Sequence, residues 1–465
     1  MKHKNQMQKV GAVLLALTFW ELAAVLVDQR ILLVTPIAVA KRLCTIWMVP
    51  GFFQILGNTC MHIVGGYLLG VCIGTCLAFF AAKRKWVENL FWPWMVSIRS
   101  VPVAAFVVIA LIWLSSAYLP VLICALVVIP VIYQNVLTGL RQTDVQLLEM
   151  AQVYHLSKAI QFRCVTLPCV QPYFLSGARV CAGMAWKAGV AAEIIAIPLH
   201  SVGKQMHTAK MYLDTDDLLA WTILVVVCSV VFERLCLWLL KLLMQRLTHP
   251  SHCTMQKHRT KKLYVKEAAD DIALLHQVSK AYGEQVVLDG FDMEIPYGSC
   301  VALMGKSGSG KTTVMRILLG LEQANCGQVI NRSESVSVVF QEHRLLPHMT
   351  GIENILLVMD HADADASEYV EQQAACIGLS ADDLQKPIVQ LSGGMKQRIA
   401  ILRAVCARPK LLCLDEPFVQ LDETTRMAVM EYVKSKSKDC AVLLITHKEE
   451  EARFFTQTVI EKKYH

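Results

Sequence analysis

Residues 300–313, Cys-Val-Ala-Leu-Met-Gly-Lys-Ser-Gly-Ser-Gly-Lys-Thr-Thr, contain the pattern Gly-x-x-x-x-Gly-Lys-Thr between Gly305 and Thr312. An apolar, strand-like run, Cys300–Met304, precedes the pattern, and helical sequence follows it. Glycines in such a loop allow backbone N–H groups to surround phosphate oxygens at a helix N-terminus, where the helix dipole favours anions. This stretch therefore predicts a strand, a phosphate-binding loop and a helix, as in α/β domains that bind nucleoside triphosphates.

The same loop contains the side chains that we expect to meet the phosphates. Lys311 is expected to neutralise phosphate charge, and the hydroxyl of Thr312 is expected to ligate Mg²⁺. The remaining predicted nucleotide contacts come from the rest of the loop and from the first turn of the helix: Gly305, Ser307, Gly308, Ser309, Gly310 and Thr313.

A second strand-like run ends in two carboxylates. Residues 411–414 are apolar and are followed by Asp415 and Glu416. A buried strand in this position can bring Asp415 to the magnesium ion, while Glu416 orients or deprotonates the attacking water. Two further apolar runs, 336–340 and Ala441–Ile445, alternate with helical sequence, which predicts a largely parallel α/β sheet.

Between the phosphate loop and this strand lies the sequence Leu391-Ser392-Gly393-Gly394-Met395. A serine hydroxyl and glycine amides at a helix start suit a phosphate oxygen. In this element the chain resembles the ATP-binding cassette (ABC) family, although Met395 stands where the family more often has glutamine. The resemblance implies that Ser392, Gly393 and Gly394 contact ATP held by the cassette of a second copy, so that hydrolysis needs a dimer.

Other residues take their expected roles from the same resemblance. Tyr282 occupies the place of the aromatic side chain that stacks on adenine, and Gln341 that of the residue that senses both Mg²⁺ and the permease. Asp422 lies in the segment that links paired cassettes, and His447 matches the histidine that senses the γ-phosphate. The implied cofactors are ATP and Mg²⁺. The predicted catalytic residues are Glu416, His447 and Gln341, and the predicted Mg²⁺ ligands are Thr312, Gln341 and Asp415.

The first half of the chain has the composition of a membrane domain. Of all 465 residues 55% are hydrophobic, the mean hydropathy is +0.43, and the longest apolar runs lie before residue 243. Runs of about 20 apolar residues are long enough to cross a bilayer as helices. Six such runs predict an all-α transmembrane domain of six helices: residues 10–27, 61–82, 90–114, 121–140, 172–197 and 218–243.

Basic residues indicate how this domain is oriented. Lysines and arginines lie before the first run, at 83–85, between 141 and 163, and after 243, which places these segments and both termini in the cytoplasm. The basic residues that follow the sixth run indicate a cytoplasmic flank facing anionic lipid. The formal charge of +7 therefore does not indicate nucleic-acid binding. The predicted domains are a permease at 1–248, a basic cytoplasmic linker at 249–270 and a cassette at 271–465.

The loop at 141–168 resembles the cytoplasmic coupling loop of ABC importers. It contains Glu-Met-Ala at 149–151 and ends with Leu-Pro at 167–168. The resemblance implies a short helix that docks into the cassette near Gln341 and transmits motion to the permease. His155 stands where the family usually has glycine, so the sequence leaves the geometry of the local turn open.

Several motifs of the membrane half resemble the nitrate, sulfonate and taurine branch of these importers: Trp20-Glu21, Arg99-Ser-Val-Pro102 and Ala185-Trp-Lys187-Ala. Related members transport thiamine-precursor pyrimidines. The resemblance therefore implies a solute such as a sulfonate, taurine, nitrate or a pyrimidine. It also implies two partners, a second copy of the chain and an extracytoplasmic solute-binding protein.

Two other classes of protein remain as alternatives. An exporter half-transporter also joins a membrane domain to a cassette, but exporter helices extend further into the cytosol. A non-transporting ATPase anchored in the membrane would need only one or two helices.

Ionisable residues fall within the predicted spans, and the clearest are Glu21, Lys187 and Glu193. Glu233 and Arg234 lie in the sixth run. Such residues are costly in lipid. They are therefore expected either to form hydrogen bonds between helices or to line the solute pathway. The 17 cysteines include no Cys-x-x-Cys pair, so neither a zinc site nor a disulfide framework is predicted.

Overall fold

The structure is a computed structural model that describes residues 2–27, 29, 31, 33–248, 271–306, 308–359 and 364–461. The predicted linker at 249–270 and the predicted nucleotide contact Ser307 lie outside these residues. The chain forms two compact units. The first contains residues 1–143 and 169–245, and the second contains 144–168 and 246–465.

The first half of the sequence is helical throughout its described elements. The helices are α1 Lys2–Val27, α2 Pro36–Thr45, α3 Phe52–Lys83, α4 Lys85–Ser100, α5 Val103–Ala110, α6 Leu119–Arg141, α7 Val145–Val153, α8 Lys158–Gln161, α9 Leu167–Ala196, α10 Val202–Met211 and α11 Thr215–Thr248. Of these, α7 and α8 belong to the second unit. The all-helical character predicted for the first half is confirmed.

Three of the described helices, α3, α6 and α11, are long and apolar enough to cross a membrane. The pair α4 and α5 would add a fourth span if it crosses as one, and it is bent by 104°. The bend lies at Pro102, which is the N-cap of α5 and has no N–H to continue the preceding helix. The predicted runs 10–27 and 172–197 lie mostly in α1 and α9.

The glycines of α3 allow this helix to pack closely on α6. A Cβ placed on Gly66 would lie 2.5 Å from the carbonyl oxygen of Val121, and one on Gly70 would lie 2.7 Å from the Cβ of Val128. Small residues at four-residue spacing let helix backbones approach in this way.

Glu193 forms hydrogen bonds between helices of the first unit. Such bonds are one of the two roles expected for ionisable residues in the predicted spans. Its buried Oε2 accepts hydrogen bonds from the Thr59 hydroxyl at 2.9 Å and from the Gly203 amide at 3.1 Å. Lys187, by contrast, is exposed, and Glu21 is half-buried. The Glu193 carboxylate thus ties α9 to α3 and to the start of α10.

The second unit is an α/β domain with two sheets. One sheet has five strands in the order β5-β6-β7-β3-β8, and each of its strand pairs is parallel. The other has three antiparallel strands in the order β2-β1-β4. The strands are β1 Asp271–Tyr282, β2 Gln285–Pro296, β3 Cys300–Met304, β4 Cys326–Asn331, β5 Val336–Val339, β6 Leu411–Asp415, β7 Ala441–Ile445 and β8 Val459–Glu461.

Helices flank these strands and connect them along the chain. They are α12 Lys311–Leu318, α13 Gly351–Leu356, α14 Ala364–Ala375, α15 Ala381–Gln385, α16 Gly393–Cys406, α17 Glu423–Lys436 and α18 Glu449–Phe455. Every residue of β6 and β7 is buried, as expected of parallel strands covered on both faces. The predicted parallel sheet is confirmed, and the carboxyl ends of β3, β6 and β7 lie along the edge where ligands bind in such folds.

Candidate nucleotide and coupling site

The phosphate loop leaves β3 and enters α12 through three glycines with positive φ. These angles are 151° at Gly305, 81° at Gly308 and 87° at Gly310, a region that residues with a Cβ seldom adopt. The hydroxyl of Ser309 is buried and has no hydrogen-bond partner among the described residues. The Lys311 ammonium donates to the carbonyl of Gly305 at 2.7 Å, so its charge lies inside the loop. This geometry fits a phosphate group.

Thr312 and Asp415 meet at the carboxyl edge of the parallel sheet. The Thr312 hydroxyl donates to Oδ2 of Asp415 at 2.9 Å. Burial raises the pKa of Asp415 to about 6, against the opposing effect of the Thr312 hydrogen bond. A hydroxyl and a carboxylate are hard oxygen ligands of the kind that Mg²⁺ takes together with water and phosphate oxygens. Within the described residues there is no cluster of three or more His, Cys, Asp or Glu that could hold a metal alone.

Glu416 lies between two of the predicted catalytic residues. Nε2 of Gln341 and Nδ1 of His447 each lie 3.5 Å from one of its carboxylate oxygens. Glu416 has φ of 47°, a conformation that is strained for a residue with a side chain. Its amide donates to the carbonyl of Ile445 in β7, which helps to hold this conformation. The structure therefore brings these three side chains together.

Tyr282 ends β1 with a half-exposed ring. Its hydroxyl faces the side chains of Glu322 and Thr313, and its pKa is raised by partial burial and by the Glu322 carboxylate. The Lys280 ammonium lies 5.1 Å from the ring centroid. Tyr282 is thus beside the first turn of α12, where a base attached to phosphates in the loop could reach it.

The predicted signature residues form an exposed helix start. The Ser392 hydroxyl accepts a hydrogen bond from the Met395 amide and caps α16. A Cβ on Gly393 would lie 2.9 Å from the side-chain oxygen of Gln420, so that this position has little room for a side chain. The Ser392 and Gly393 surface is open to a partner.

Asp422 also has a local structural role. Its side chain accepts a hydrogen bond from the Thr425 amide and caps α17. Hydrogen bonds from Thr424 and Thr425 lower its pKa to about 2, so the side chain is a carboxylate at neutral pH. Capping places this exposed charge at the N-terminus of α17.

Glu149 of the predicted coupling loop contacts two arginines that the sequence analysis did not single out. Its carboxylate accepts two hydrogen bonds from Arg316 of α12, at 2.7 and 3.0 Å, and one from Arg344 at 2.8 Å. The Arg316 hydrogen bond is the main cause that lowers the pKa of Glu149. Arg316 follows the phosphate loop closely, and Arg344 follows Gln341. In the sequence, the only indication of a role for these arginines is their basic charge close to the phosphate loop and to Gln341.

The rest of the coupling segment, defined here as residues 144–168, packs into the core of the second unit. Met150 and Tyr154 are buried with residues of its strands. The Tyr154 hydroxyl donates to the carbonyl of Val338 in β5 at 3.1 Å. The segment therefore packs against β5, the strand that ends two residues before Gln341.

His155 adopts the backbone conformation that the family's glycine would favour. Its φ is 51°, its amide donates to the carbonyl of Gln152, and the amide of Leu156 donates to that of Ala151. This pattern ends α7 with the usual left-handed helix stop. The turn that the sequence leaves open is therefore a left-handed helix stop with histidine in the place of glycine.

Taken together, a phosphate loop, a buried aspartate, and a neighbouring glutamate at the edge of a parallel sheet define a P-loop nucleotide-binding domain. Comparisons with known proteins narrow this class. Residues 288–419 match the family described as ABC transporter, and residues 70–249 match the one described as binding-protein-dependent transport system inner membrane component.

Curated relatives match the cassette. The chain is 36% identical over 209 residues to the bicarbonate transport ATP-binding protein CmpD of Synechococcus elongatus, covering 41% of this chain and 75% of that protein. It is 38% identical over 185 residues to the aliphatic sulfonates import ATP-binding protein SsuB of Corynebacterium glutamicum, covering 39% and 75%. The solved dimeric post-hydrolysis cassette MJ0796 is 29% identical with a TM-score of 0.37, covering 41% of this chain and 94% of that one.

The chain belongs to the ABC transporter family and joins an importer-type permease to an ATP-binding cassette. It is a membrane protein. Its cassette implies nucleotide binding and ATP hydrolysis coupled to transport.

Proposed function

We propose that two copies of this chain form an ATP-driven importer in the cytoplasmic membrane, each copy supplying one permease and one cassette. The observation that supports this best is the pairing of Glu149 with Arg316. Glu149 lies in a segment inserted between two stretches of the helical unit, and Arg316 lies in the helix that begins at the phosphate loop. Such a contact can transmit a change at the nucleotide to the helices.

In the proposed hydrolysis step, Glu416 orients the attacking water and accepts its proton. Gln341 and His447 keep the carboxylate in place, since each contacts one of its oxygens. Thr312 and Asp415 would hold Mg²⁺, which when bound neutralises charge on the phosphates.

The other predicted residues bind the nucleotide. Lys311 and the loop glycines surround the phosphates, and Tyr282 stacks on adenine. The edge formed by Ser392, Gly393 and Gly394, of which Ser392 and Gly393 are exposed, closes over ATP in the partner copy. The neighbouring Asp422 faces the junction of the two cassettes.

The proposed solute is a small anion such as a sulfonate, taurine, nitrate or bicarbonate. The matched ATP-binding proteins serve bicarbonate and sulfonates according to their names. A thiamine-precursor pyrimidine is the alternative, as the resemblance of the permease motifs to this branch of importers implies. An extracytoplasmic binding protein would deliver the solute, in agreement with the description of the matched permease family.

The proposed orientation has both termini and the cassette in the cytoplasm, with the permease at 1–248 crossing the membrane several times. The basic linker at 249–270 then faces anionic lipid. ATP is available on that side, which the cassette requires.

Replacement of the proposed general base tests the hydrolysis step. In the full chain reconstituted in lipid, Glu416→Gln should lower ATP turnover by about 10²-fold or more, because the amide cannot accept the proton. Binding of a fluorescent ATP derivative should persist. Glu431→Gln, an exposed change on α17, is the matched control.

Appreciable turnover by Glu416→Gln would remove Glu416 from this role. The direction of transport is tested separately with radiolabelled taurine and bicarbonate. ATP-driven accumulation confined to inside-out vesicles would favour the exporter alternative over the importer.

A further inference from the structure

Arg403, in the last turn of α16, is a buried cation outside the proposed catalytic set. It is 1% exposed, and no carboxylate pairs with it among the described residues. Its guanidinium donates to the carbonyl oxygens of Arg344 at 2.7 Å and of His343 at 3.3 Å. It also lies 5.5 Å from the ring centroid of Tyr154 in the coupling segment. A buried charge is costly, and these contacts are what offsets that cost.

Arg344 is the residue at which these contacts converge. Its backbone is in the left-handed region with φ of 44°. Its carbonyl accepts from Arg403, and its guanidinium donates to Glu149 and lies 3.6 Å from the ring centroid of Phe340. Strained backbone persists only where neighbours fix it, and it is often found in segments that switch between arrangements.

Helix α16 connects Arg403 to the proposed signature edge. Ser392 caps the first turn and Arg403 lies in the last turn of the same 14-residue helix. Because a short helix moves as a stiff rod, a displacement at Arg403 is passed to Ser392. The side-chain oxygen of Gln397, between them, lies 2.8 Å from Nδ1 of His343 as a hydrogen-bond acceptor, so α16 contacts the segment that follows Gln341 at a second point.

We propose that Arg344 and Arg403 are positioning residues that let the coupling segment set the position of the signature edge. Movement of Glu149 pulls the side chain of Arg344, whose carbonyl moves Arg403 and with it α16. This path is distinct from the pairing of Glu149 with Arg316, which leads to the phosphate loop. The inference rests on the proposed function, because it assigns Ser392 to the nucleotide of the partner copy.

A double-mutant cycle on the full chain in lipid nanodiscs tests the proposal. The variants are Glu149→Gln, Arg403→Lys and the two combined, with kcat and KM for ATP as the readouts. Arg403→Lys keeps the charge but cannot reach both carbonyls. Each single change should lower kcat. Arg403→Lys should leave KM for ATP unchanged, because Arg403 does not contact the phosphate loop, whereas Glu149→Gln also breaks the pair with Arg316 of α12.

If Glu149 and Arg403 act in series, the fold-loss of kcat in the double variant should be smaller than the product of the two single fold-losses. We expect the difference to be about threefold or more. The matched control is Arg398→Lys. Arg398 lies on the same helix and donates to the carbonyls of Ile377 and Gly378, away from Arg344. Its combination with Glu149→Gln should give the product of the single losses within about twofold.

The proposal would be overturned if the combined Glu149→Gln and Arg403→Lys loss of kcat equalled the product of the single losses within about twofold. It would also be overturned if Arg403→Lys changed KM for ATP and not kcat. If Arg403→Lys fails to fold, Arg403→Gln replaces it in the cycle, since an amide removes the buried charge and keeps one donor. An unsubstituted chain that hydrolyses no ATP would instead reject the proposed function.

Discussion

At the scale of single residues, positive φ occurs at three positions of the nucleotide and coupling sites, and also at other positions such as Ile197 and Gln277. Glu416, His155 and Arg344 all have positive φ, and each lies in the nucleotide site or the coupling region. Histidine tolerates this conformation better than most residues with a side chain. Gly203 in the first unit is required for a different reason. Glu193 packs so closely against it that there is no room for a side chain, and its backbone conformation is not the cause.

Gly203→Ala should destabilise the first unit. A Cβ there would lie 2.2 Å from the Cβ of Glu193 and 2.6 Å from its backbone carbon, so α10 would have to move away. We expect a loss of about 1–3 kcal/mol, the usual cost of an overpacked site. The measurement is the thermal unfolding midpoint of the purified chain in detergent.

Gly183→Ala is the control for this change. A Cβ at that position in α9 meets nothing within 4 Å, so alanine should be neutral or stabilise the helix by up to about 1 kcal/mol. Equal midpoints for the two variants would show that the Glu193 contact does not restrict position 203.

At the scale of elements, one charged contact fixes α7 against α12 within the second unit. The Glu149 pKa lies below its ordinary value of 4.5 because Arg316 stabilises the carboxylate. The stabilisation from this pair is therefore fully present above the ordinary value and is lost as the pH falls through the lowered one. At neutral pH the pair is intact.

Glu149→Gln should loosen α7 without unfolding the cassette. Charge-assisted hydrogen bonds contribute about 1.5–3 kcal/mol, so local opening of Val145–Val153 should become roughly tenfold or more frequent. Hydrogen–deuterium exchange of peptides from this helix measures the change.

The exposed turn between β1 and β2 offers the control Glu284→Gln, for which no change in α7 is expected. Unaltered exchange of α7 in Glu149→Gln would mean that apolar packing alone holds the segment.

At the scale of the whole molecule, the proposed nucleotide site is completed by a second copy. The phosphate loop and the signature edge are both present in each chain, but Ser392 and Gly393 are exposed. An assembly of two copies would then contain two sites, each built from both chains. This arrangement can be tested by placing one defect in each copy.

Mixed assemblies of Lys311→Ala and Ser392→Arg chains should retain one occluded nucleotide per dimer. One site then has an intact loop and an intact edge, while the other has both defects. Assemblies of either variant alone contain two damaged sites and should retain none. Vanadate trapping of labelled nucleotide in tagged, purified mixed dimers measures the number.

The matched control combines Lys311→Ala with Glu431→Gln, which leaves the edge intact in both copies. If the mixed Lys311→Ala and Ser392→Arg dimer trapped no more nucleotide than either variant alone, the site would not be shared between copies.

Much of this architecture could be predicted because its signals are local. The glycines of the phosphate loop, the carboxylates after β6 and the apolar runs lie within short stretches whose chemistry and period are visible in the sequence. These local signals are sufficient to predict the parallel sheet, the helical first half of the chain and the positions of Lys311, Asp415 and Glu416.

Tertiary structure alone decided which distant side chains meet. Glu149 and Arg316 are 167 residues apart in sequence, and the local sequence does not indicate that Arg316 and Arg344 both contact this carboxylate or that Arg403 is buried. Their roles depend on burial and on the partner that folding brings to each. For the same reason only packing could assign residues 144–168 to the unit that contains the cassette. Motif chemistry follows from neighbours along the chain, whereas a charge in the interior acquires its function from neighbours in space.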